Sequence, residues 1–457
     1  MTRSSLRHAL VPAYLAACLL LGGASAAGFL ANLALQLAAL PLIAWGLWQL
    51  LRTGPAPQVR SAVILLGLFV GVALLQLVPL PPALWTALPG RGFVAENYRL
   101  AGVALPWLPL SLAPDNSVAS LLWLLPAFAV FLGVAALGAF RARGLAGIIV
   151  AITLVSVMVG ALQVIGGDSA YFYQVTNVGQ AVGFFANSNH NATLLLIAIP
   201  FLAALQATFL RAGRSARNAS AVRLLTIAVY AVILVGLLIN SSLAGIGLGV
   251  PVALGTWLTF GRFSGRGRGP ALRRTLTILT IAGSAAAVLL IVVGPFGNNL
   301  TGQQTEHVEL SRQTSFALTL RAAGDFLPFG SGVGSFQPIY AGQEPLGTVG
   351  STFMNHAHSD WIELLLETGV PGLLLAALLL YWLVRRARAI WQAEDRDPFA
   401  QAATIAAAAM LLHSVVDYPL RTAALSAVFA ACIALIAGAR PYVRQRTQKS
   451  SARHLEL

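Results

Sequence analysis

Charge is what this sequence has least of. Asp, Glu, Lys and Arg make up 10% of the 457 residues, while 57% are hydrophobic; an ordinary soluble domain carries roughly 25% charged residues. So few charges cannot build a water-facing surface for a chain of this length, whereas helices facing lipid need none. A soluble protein is nearly excluded, and the solvent is a bilayer. Cysteine is almost absent too. Cys18 and Cys432 each lie inside an apolar run, which leaves neither a disulfide framework nor a Cys-based metal site. Redox chemistry drops out. Acidic residues number 15 against 29 basic ones, for a formal net charge of +14. That excess invites a nucleic-acid reading, but the basic residues stand in short clusters between apolar runs, with no aromatic-interleaved basic domain to follow a phosphate backbone. No nucleic-acid partner is expected.

What the chain does have is long apolar runs, each able to cross the hydrocarbon core as a helix of about 20 residues. They fall near 9–27, 29–51, 61–79, 118–140, 145–166, 191–210, 222–239, 242–260, 273–295, 362–384, 400–416 and 422–439. The expected fold is an all-α polytopic membrane protein of about twelve transmembrane helices with one large outer loop before the last three. Residues 1–295 then hold the first nine spans, 296–361 the loop, 362–440 the last three spans and 441–457 a basic tail. With a cytoplasmic N-terminus, 24 of the 29 basic residues fall on inner segments, and the outer ones keep Arg91, Arg99, Arg312, Arg321 and Arg421. The positive-inside rule is then obeyed in every loop pair, with both termini cytoplasmic. Arg3, Arg7, an apolar stretch and Ala24-Ser25-Ala26 also fit a secretory signal with an A-x-A cleavage site. The second span starts at once, which suits a retained helical hairpin better.

Ionisable groups in mid-span often betray function in polytopic proteins, and these spans are almost empty of them, so ion-coupled transport loses its usual residues. The exceptions sit near outer helix ends: Glu363, Glu367, and the i, i+4 pair His413 and Asp417. The pair reads either as an interfacial contact near Arg421 or as a catalytic dyad, with the contact favoured. The 296–361 loop is the richest outer segment, carrying Glu306, His307, Glu309, Arg312, Arg321, Asp325, the run Gly330-Ser331-Gly332-Val333-Gly334, and Asn355-His356-Ala357-His358-Ser359-Asp360.

Asp360-Trp361-Ile362-Glu363 resembles an aspartate capping box that starts a helix just after His358. A histidine at a helix N-terminus is biased toward its neutral, proton-accepting form, while Asp360 and Glu363 push the other way. Arg312 and Arg321 stand out on a cation-poor face; each is suited to clamp a phosphate, and each has a loop salt bridge as the alternative. The glycine run follows no strand and lacks a Lys-Ser or Lys-Thr partner, so it is read as turns and not as a nucleotide loop. Gly183-Phe184-Phe185-Ala186-Asn187-Ser188-Asn189-His190-Asn191 enters the sixth span with a cluster of amide and imidazole groups. Capping accounts for one or two of them, and a sugar- or diphosphate-binding rim would use the rest.

In these residues the chain resembles the O-antigen ligase and polymerase superfamily of bacterial inner-membrane glycosyltransferases. The pattern G-x-F-x-N-x-N matches Gly183, Phe185, Asn187 and Asn189. An arginine followed by P-x-G-x-G-x-G-x-F matches Arg312, then Pro328, Gly330, Gly332, Gly334 and Phe336. H-N-D-x-L-x-x-x-x-E-x-G-x-x-G matches His358, Asp360, Glu367, Gly369 and Gly372, with Ser359 for Asn and Ile362 for Leu. The chain departs from the Ser-Arg-Gly of many members, reading Asn240-Ser241-Ser242-Leu243-Ala244-Gly245, so a lipid diphosphate would fall to Arg312, Arg321 or Arg421, or be bound differently.

The resemblance implies glycan transfer from a polyprenyl (undecaprenyl) diphosphate carrier to an acceptor hydroxyl at the periplasmic face of the inner membrane, with no metal or other cofactor. His358 would be the base and Arg312 would stabilise the departing diphosphate. Arg321, Asn187, Asn189, His356, Asp360, Glu367 and Arg421 would bind substrate. Lipid A core as acceptor makes a ligase, a glycan chain a polymerase, and a protein side chain an O-oligosaccharyltransferase. A lipid-linked glycan flippase or transporter is the alternative from another class, and a non-catalytic scaffold a third.

Overall fold

A computed structural model of the protein describes residues 3–26, 28–55, 57–137, 141–211, 216–261, 312–345 and 353–438, with isolated positions 274, 275, 278 and 282. The helices are α1 (Arg3–Leu21), α2 (Leu30–Thr53), α3 (Pro57–Leu75), α4 (Pro82–Trp85), α5 (Gly92–Leu100), α6 (Pro114–Trp123), α7 (Leu125–Ala135), α8 (Ala142–Gly166), α9 (Ser188–Arg211), α10 (Ala216–Asn240), α11 (Leu243–Phe260), α12 (Arg312–Phe326), α13 (Phe336–Ala341), α14 (Asp360–Gln392), α15 (Pro398–His413) and α16 (Ala423–Ile436). The described strand content is one two-residue pair, Pro79–Leu80 against Leu108–Pro109, antiparallel with Pro79 opposite Pro109.

The chain is a multi-pass helical membrane protein. Seven of the described helical segments are long and apolar enough to cross a bilayer, and four shorter apolar helices lie at other expected spans. Most of the expected ninth span, 273–295, the stretches 296–311 and 346–352 of the loop that follows it and the basic tail fall outside the described residues. The expected fourth span is two helices, α6 and α7, meeting at Leu124; Pro126 has no N–H for the carbonyl of Leu122 and its ring crowds that carbonyl.

Burial follows composition. α9 is enclosed on all sides from Ser188 to Ala204, as befits a helix apolar around its whole circumference, and it packs against α8, α10, α11 and α15. α1 is also built into the core, with Val11, Leu15, Cys18 and Leu19 fully buried. Polar caps end these helices where the chain must turn: the Ser242 hydroxyl accepts from Gly245 N–H at 3.0 Å, an Asp397 oxygen from Phe399 N–H at 2.8 Å, and the Thr422 hydroxyl from Leu425 N–H at 3.2 Å. α14 does begin just after His358, but Ser359 is its cap, accepting from Ile362 N–H at 3.4 Å. The Asp360 carboxylate is drawn instead to Ser414 and Arg421.

α14 is broken inside the membrane at Gly369 (φ 58°, ψ −145°), two residues before Pro371. An interrupted span needs other partners for its freed backbone groups, and the glycine-rich run supplies them. Val370 N–H donates to Pro328 O (2.8 Å) and Ser331 N–H to Leu366 O (2.9 Å). The carbonyl of Glu367, which Pro371 cannot serve, accepts from Gly332 N–H (2.9 Å) and Gln76 Nε2 (3.0 Å). Gly330, Gly332 and Gly334 all have positive φ, and a Cβ on Gly332 would stand 2.3 Å from Ser111 Oγ. The run is therefore a set of turns, as expected, but one wedged into the helix break. Arg91, only 2% exposed, braces it by donating to Leu110 O (2.6 Å) and Gly330 O (3.1 Å). Burial lowers its pKa to about 10, which leaves it charged at neutral pH.

Candidate functional site

One end of the bundle collects a cluster of buried carboxylates and histidines. The N-termini of α9, α11 and α14, the turn after α15 and the segment after α1 all meet there. At its centre Arg421 reaches three carboxylates of one helix face: Asp360 Oδ1 from Nε at 3.5 Å, Glu363 Oε1 from Nη1 at 3.1 Å and Glu367 Oε2 from Nη2 at 3.1 Å. Spacings of three, four and seven residues bring these carboxylates onto a single stripe of α14. Each carboxylate has a further partner. Ser414 Oγ donates to Asp360 Oδ2 (2.6 Å), Ala357 N–H to Glu363 Oε2 (2.9 Å) and Gly334 N–H to Glu367 Oε1 (2.7 Å). The glycine run thus touches both the backbone and the side chain of Glu367.

His356 completes the cluster. Its Nδ1 lies 2.8 Å from Glu363 Oε1 and its Nε2 3.2 Å from the carbonyl of Ser25. Burial acts to lower its pKa, but the Glu363 carboxylate outweighs burial and the repulsion of Arg421, so the net shift is upward. Burial likewise pulls on Arg421, and its three carboxylates more than reverse the effect. With His356 protonated the group carries two positive charges against three negative ones, so Arg421 is already neutralised by its own neighbours.

The cluster caps a cavity of about 490 Å³. His356, Asp360, Glu363, Glu367 and Arg421 line one part, and the remainder is walled by apolar groups of α3, α7, α14 and α16, among them Phe69, Phe131, Leu379 and Phe429. His358 belongs to the adjoining segment and does not line this space. Its backbone is left-handed (φ 54°) and its ring meets that of Tyr418, centroids 5.1 Å apart.

The other expected residues are placed differently. Asn187 accepts the N–H of Asn189 at 2.8 Å, a capping turn. Asn189 is buried; its amide nitrogen donates to Asp417 Oδ2, and its oxygen accepts from Ser242 Oγ at 2.6 Å. Asn191 accepts from Ser156 Oγ and donates to Ala181 O. The amide cluster is therefore largely engaged within the protein, and neither Asn187 nor Asn189 lines the cavity. His413 and Asp417 are engaged with α9: His413 Nδ1 lies 2.7 Å from Thr193 Oγ1, and Asp417 faces Asn189 and His190. α15 ends at His413, so Asp417 sits in the turn beyond it and both side chains look toward α9.

Arg312 is the first residue of α12, and its side chain lies outside the described residues, as do Glu306, His307 and Glu309. Arg321 is exposed on the same helix and makes no ion pair among the described residues. Nine residues separate the two, about two and a half turns or 14 Å of rise. Among the described residues no group of three or more His, Cys, Asp or Glu is arranged to hold a metal ion.

Residues 225–377 match a family model described as O-antigen ligase. The chain is similar to that family over this segment, about a third of its length. The matched segment includes α12, the glycine run, His356, His358, Asp360, Glu363, Glu367 and the break at Gly369. It stops short of Arg421, and the Gly183–Asn191 segment precedes it. No curated protein matches the chain. The matched segment thus supplies Asp360, Glu363, Glu367 and His356, while the arginine that binds the carboxylates comes from outside it.

Sequence reasoning did not single out Tyr418, Ser25, Ser414 or Asn355 for the site. Tyr418 follows the noted Asp417, which was a usable signal. Ser25 engages His356 through its main-chain carbonyl, which no side-chain pattern reveals.

Proposed function

We propose that the protein transfers a glycan from a polyprenyl diphosphate carrier to an acceptor hydroxyl at the periplasmic face of the bacterial inner membrane, as an O-antigen ligase or polysaccharide polymerase. One observation carries the reading: an apolar cavity among membrane helices ends at a buried cluster of ionisable groups beside His358, as a substrate with a lipid tail and a polar reacting head requires. The ligase family match supports the same chemistry.

In the proposed step His358 takes the acceptor hydroxyl proton while that oxygen bonds to the anomeric carbon. The bond from that carbon to the diphosphate oxygen breaks, and its electron pair leaves with the polyprenyl diphosphate. Arg312 offsets the charge that develops on the leaving group, with Arg321 as a further cation for it. Arg421 is less suited to that task because three carboxylates already surround it. It would instead hold Asp360, Glu363, Glu367 and His356 at the rim where the sugar docks, with Asn187 and Asn189 shaping the wall behind. No step requires a metal ion. Twelve spans, a periplasmic 296–361 loop and cytoplasmic termini belong to the same proposal.

The test is a deletion strain complemented with wild type or His358→Ala, with lipid-linked species profiled by mass spectrometry. Wild type is expected to restore normal polysaccharide, while the variant accumulates lipid-linked glycan at equal expression. Single repeats accumulating would indicate a polymerase, and long chains on the carrier a ligase. A variant that restores normal glycan overturns the reading.

A further inference from the structure

Tyr418 occupies an unusual position. It is 4% exposed, and its ring lies among three imidazoles from two parts of the chain. His190 of α9 meets it at a centroid distance of 4.9 Å and an interplanar angle of 84°, His356 at 4.6 Å and 41°, and His358 at 5.1 Å and 69°. Its hydroxyl lies 3.4 Å from Asn355 Oδ1. We propose that Tyr418 is the positioning residue of the site, its ring setting the orientation of His358 for proton abstraction. The inference rests on the reading of His358 as the base.

Three observations support it. First, His358 holds a left-handed backbone (φ 54°), a conformation uncommon outside glycine that persists only where the surroundings impose it. Second, the surroundings that impose it come from the turn bearing Tyr418. Asp360 N–H, two residues beyond His358, reaches both Ser414 O (3.0 Å) and Asp417 O (3.2 Å), and Ser359 Oγ donates to Ser414 O (3.2 Å). The 358–360 segment is thus tied to the 414–418 turn at its backbone, and the Tyr418 ring is the part of that turn that meets the imidazole. Third, the turn is itself anchored from behind. Tyr418 N–H donates to Asp417 Oδ1 (2.7 Å), Asn189 holds the other oxygen, and His190 presses edge-on against the ring.

His190 makes best sense as part of this scaffold. It is 1% exposed, its Nε2 lies 3.6 Å from Asp417 Oδ1, and neither ring nitrogen makes a hydrogen bond among the described residues. The imidazole thus packs against both the Tyr418 ring and the carboxylate of the turn that bears it. A ring contact of this kind fixes direction as well as distance. Misplacement of a catalytic group by about 1 Å costs on the order of 100-fold in rate.

The experiment uses the full chain in lipid nanodiscs, with a polyprenyl diphosphate-linked glycan and its acceptor, comparing Tyr418→Phe and Tyr418→Leu. Tyr418→Phe keeps the ring and is expected to hold kcat within about 3-fold of wild type. Tyr418→Leu keeps an apolar filling without the ring face and is expected to lower kcat about 10- to 100-fold with donor KM unchanged. Rescue by Phe and a kcat effect without a KM effect are what a purely structural residue would not produce. Should the Leu variant fail to accumulate, His190→Leu removes the imidazole behind the ring, together with its approach to Asp417, and is expected to lower kcat in the same way, by a smaller factor. Wild-type kcat in whichever of these two variants is folded, or a loss borne entirely by KM, overturns the role of Tyr418. Wild-type protein without transfer activity, or His358→Ala with full activity, instead overturns the proposed function.

Discussion

At the residue scale, Arg421 and His356 decide the electrostatics of the site, and they do so differently. Arg421 compensates three carboxylates, of which Glu363 and Glu367 are 1% and 2% exposed. Removing one partner of a buried ionic group leaves the others uncompensated, at a cost of about 3–5 kcal/mol. Arg421→Met is therefore expected to lower the unfolding temperature sharply, and Arg421→Lys to recover little of it, since one ammonium cannot match a guanidinium fork facing three acceptors. Adding Glu363→Gln to Arg421→Met is expected to recover part of the loss, because one of the stranded charges is gone. Thermal unfolding in detergent reads all three. His356 makes a pH-dependent contribution. Its folded-state pKa is raised, so the protonated form stabilises the fold; that contribution is fully present below the unfolded value near 6.5 and is lost as pH rises through the folded value. Wild type is thus expected to lose more stability than His356→Gln between pH 6 and 9. Parallel curves for the two proteins would remove His356 from the account.

At the element scale, the break in α14 and the glycine run are one structure. The helix cannot be continuous at Gly369 and Pro371, and the run cannot sit in water with its backbone bent to donate into that gap. Gly332 adopts a φ of 109°, and a Cβ there would come within 2.5 Å of the Ser111 backbone, so Gly332→Ala is expected to destabilise by more than the usual 1 kcal/mol of a backbone effect. Gly324, inside α12 with open space around it, is the control: Gly324→Ala is expected to be neutral or to stabilise by about 0.5–1 kcal/mol. Equal unfolding temperatures for the two variants would contradict the wedge. The same logic explains why Arg91 is buried without a carboxylate partner among the described residues. It satisfies carbonyls that the bent chain presents, and its charge is spread over several of them.

At the scale of the whole molecule, buried carboxylates and histidines gather at one end of a helical bundle and the apolar cavity runs from there among the spans. Orientation can be tested with single cysteines, since Cys18 and Cys432 are buried and free and give little background. Ala341, at the end of α13, lies toward the site, and Thr53, at the end of α2, lies at the other end. A membrane-impermeant maleimide applied to spheroplasts is expected to label Ala341→Cys directly and Thr53→Cys only after lysis. The reverse pattern would place the site in the cytoplasm.

The sequence by itself determined the class of molecule, the places of most spans and the start of α14 beside His358. Hydropathy, charge flanks and caps act over a few residues and are written locally. It also marked the glycine run and the Asp360, Glu367 and Arg421 side chains as a group worth attention. Only the tertiary structure decided what those groups face. Arg421 and Glu367 are 54 residues apart, and Asn189 and Asp417 are 228 apart. Asn189, one of the amides read as a sugar rim, is turned inward to hold Asp417, and the carboxylates that could have been a free acidic patch are closed around Arg421. Such choices depend on which helix ends meet when the bundle packs, and no local pattern encodes that meeting.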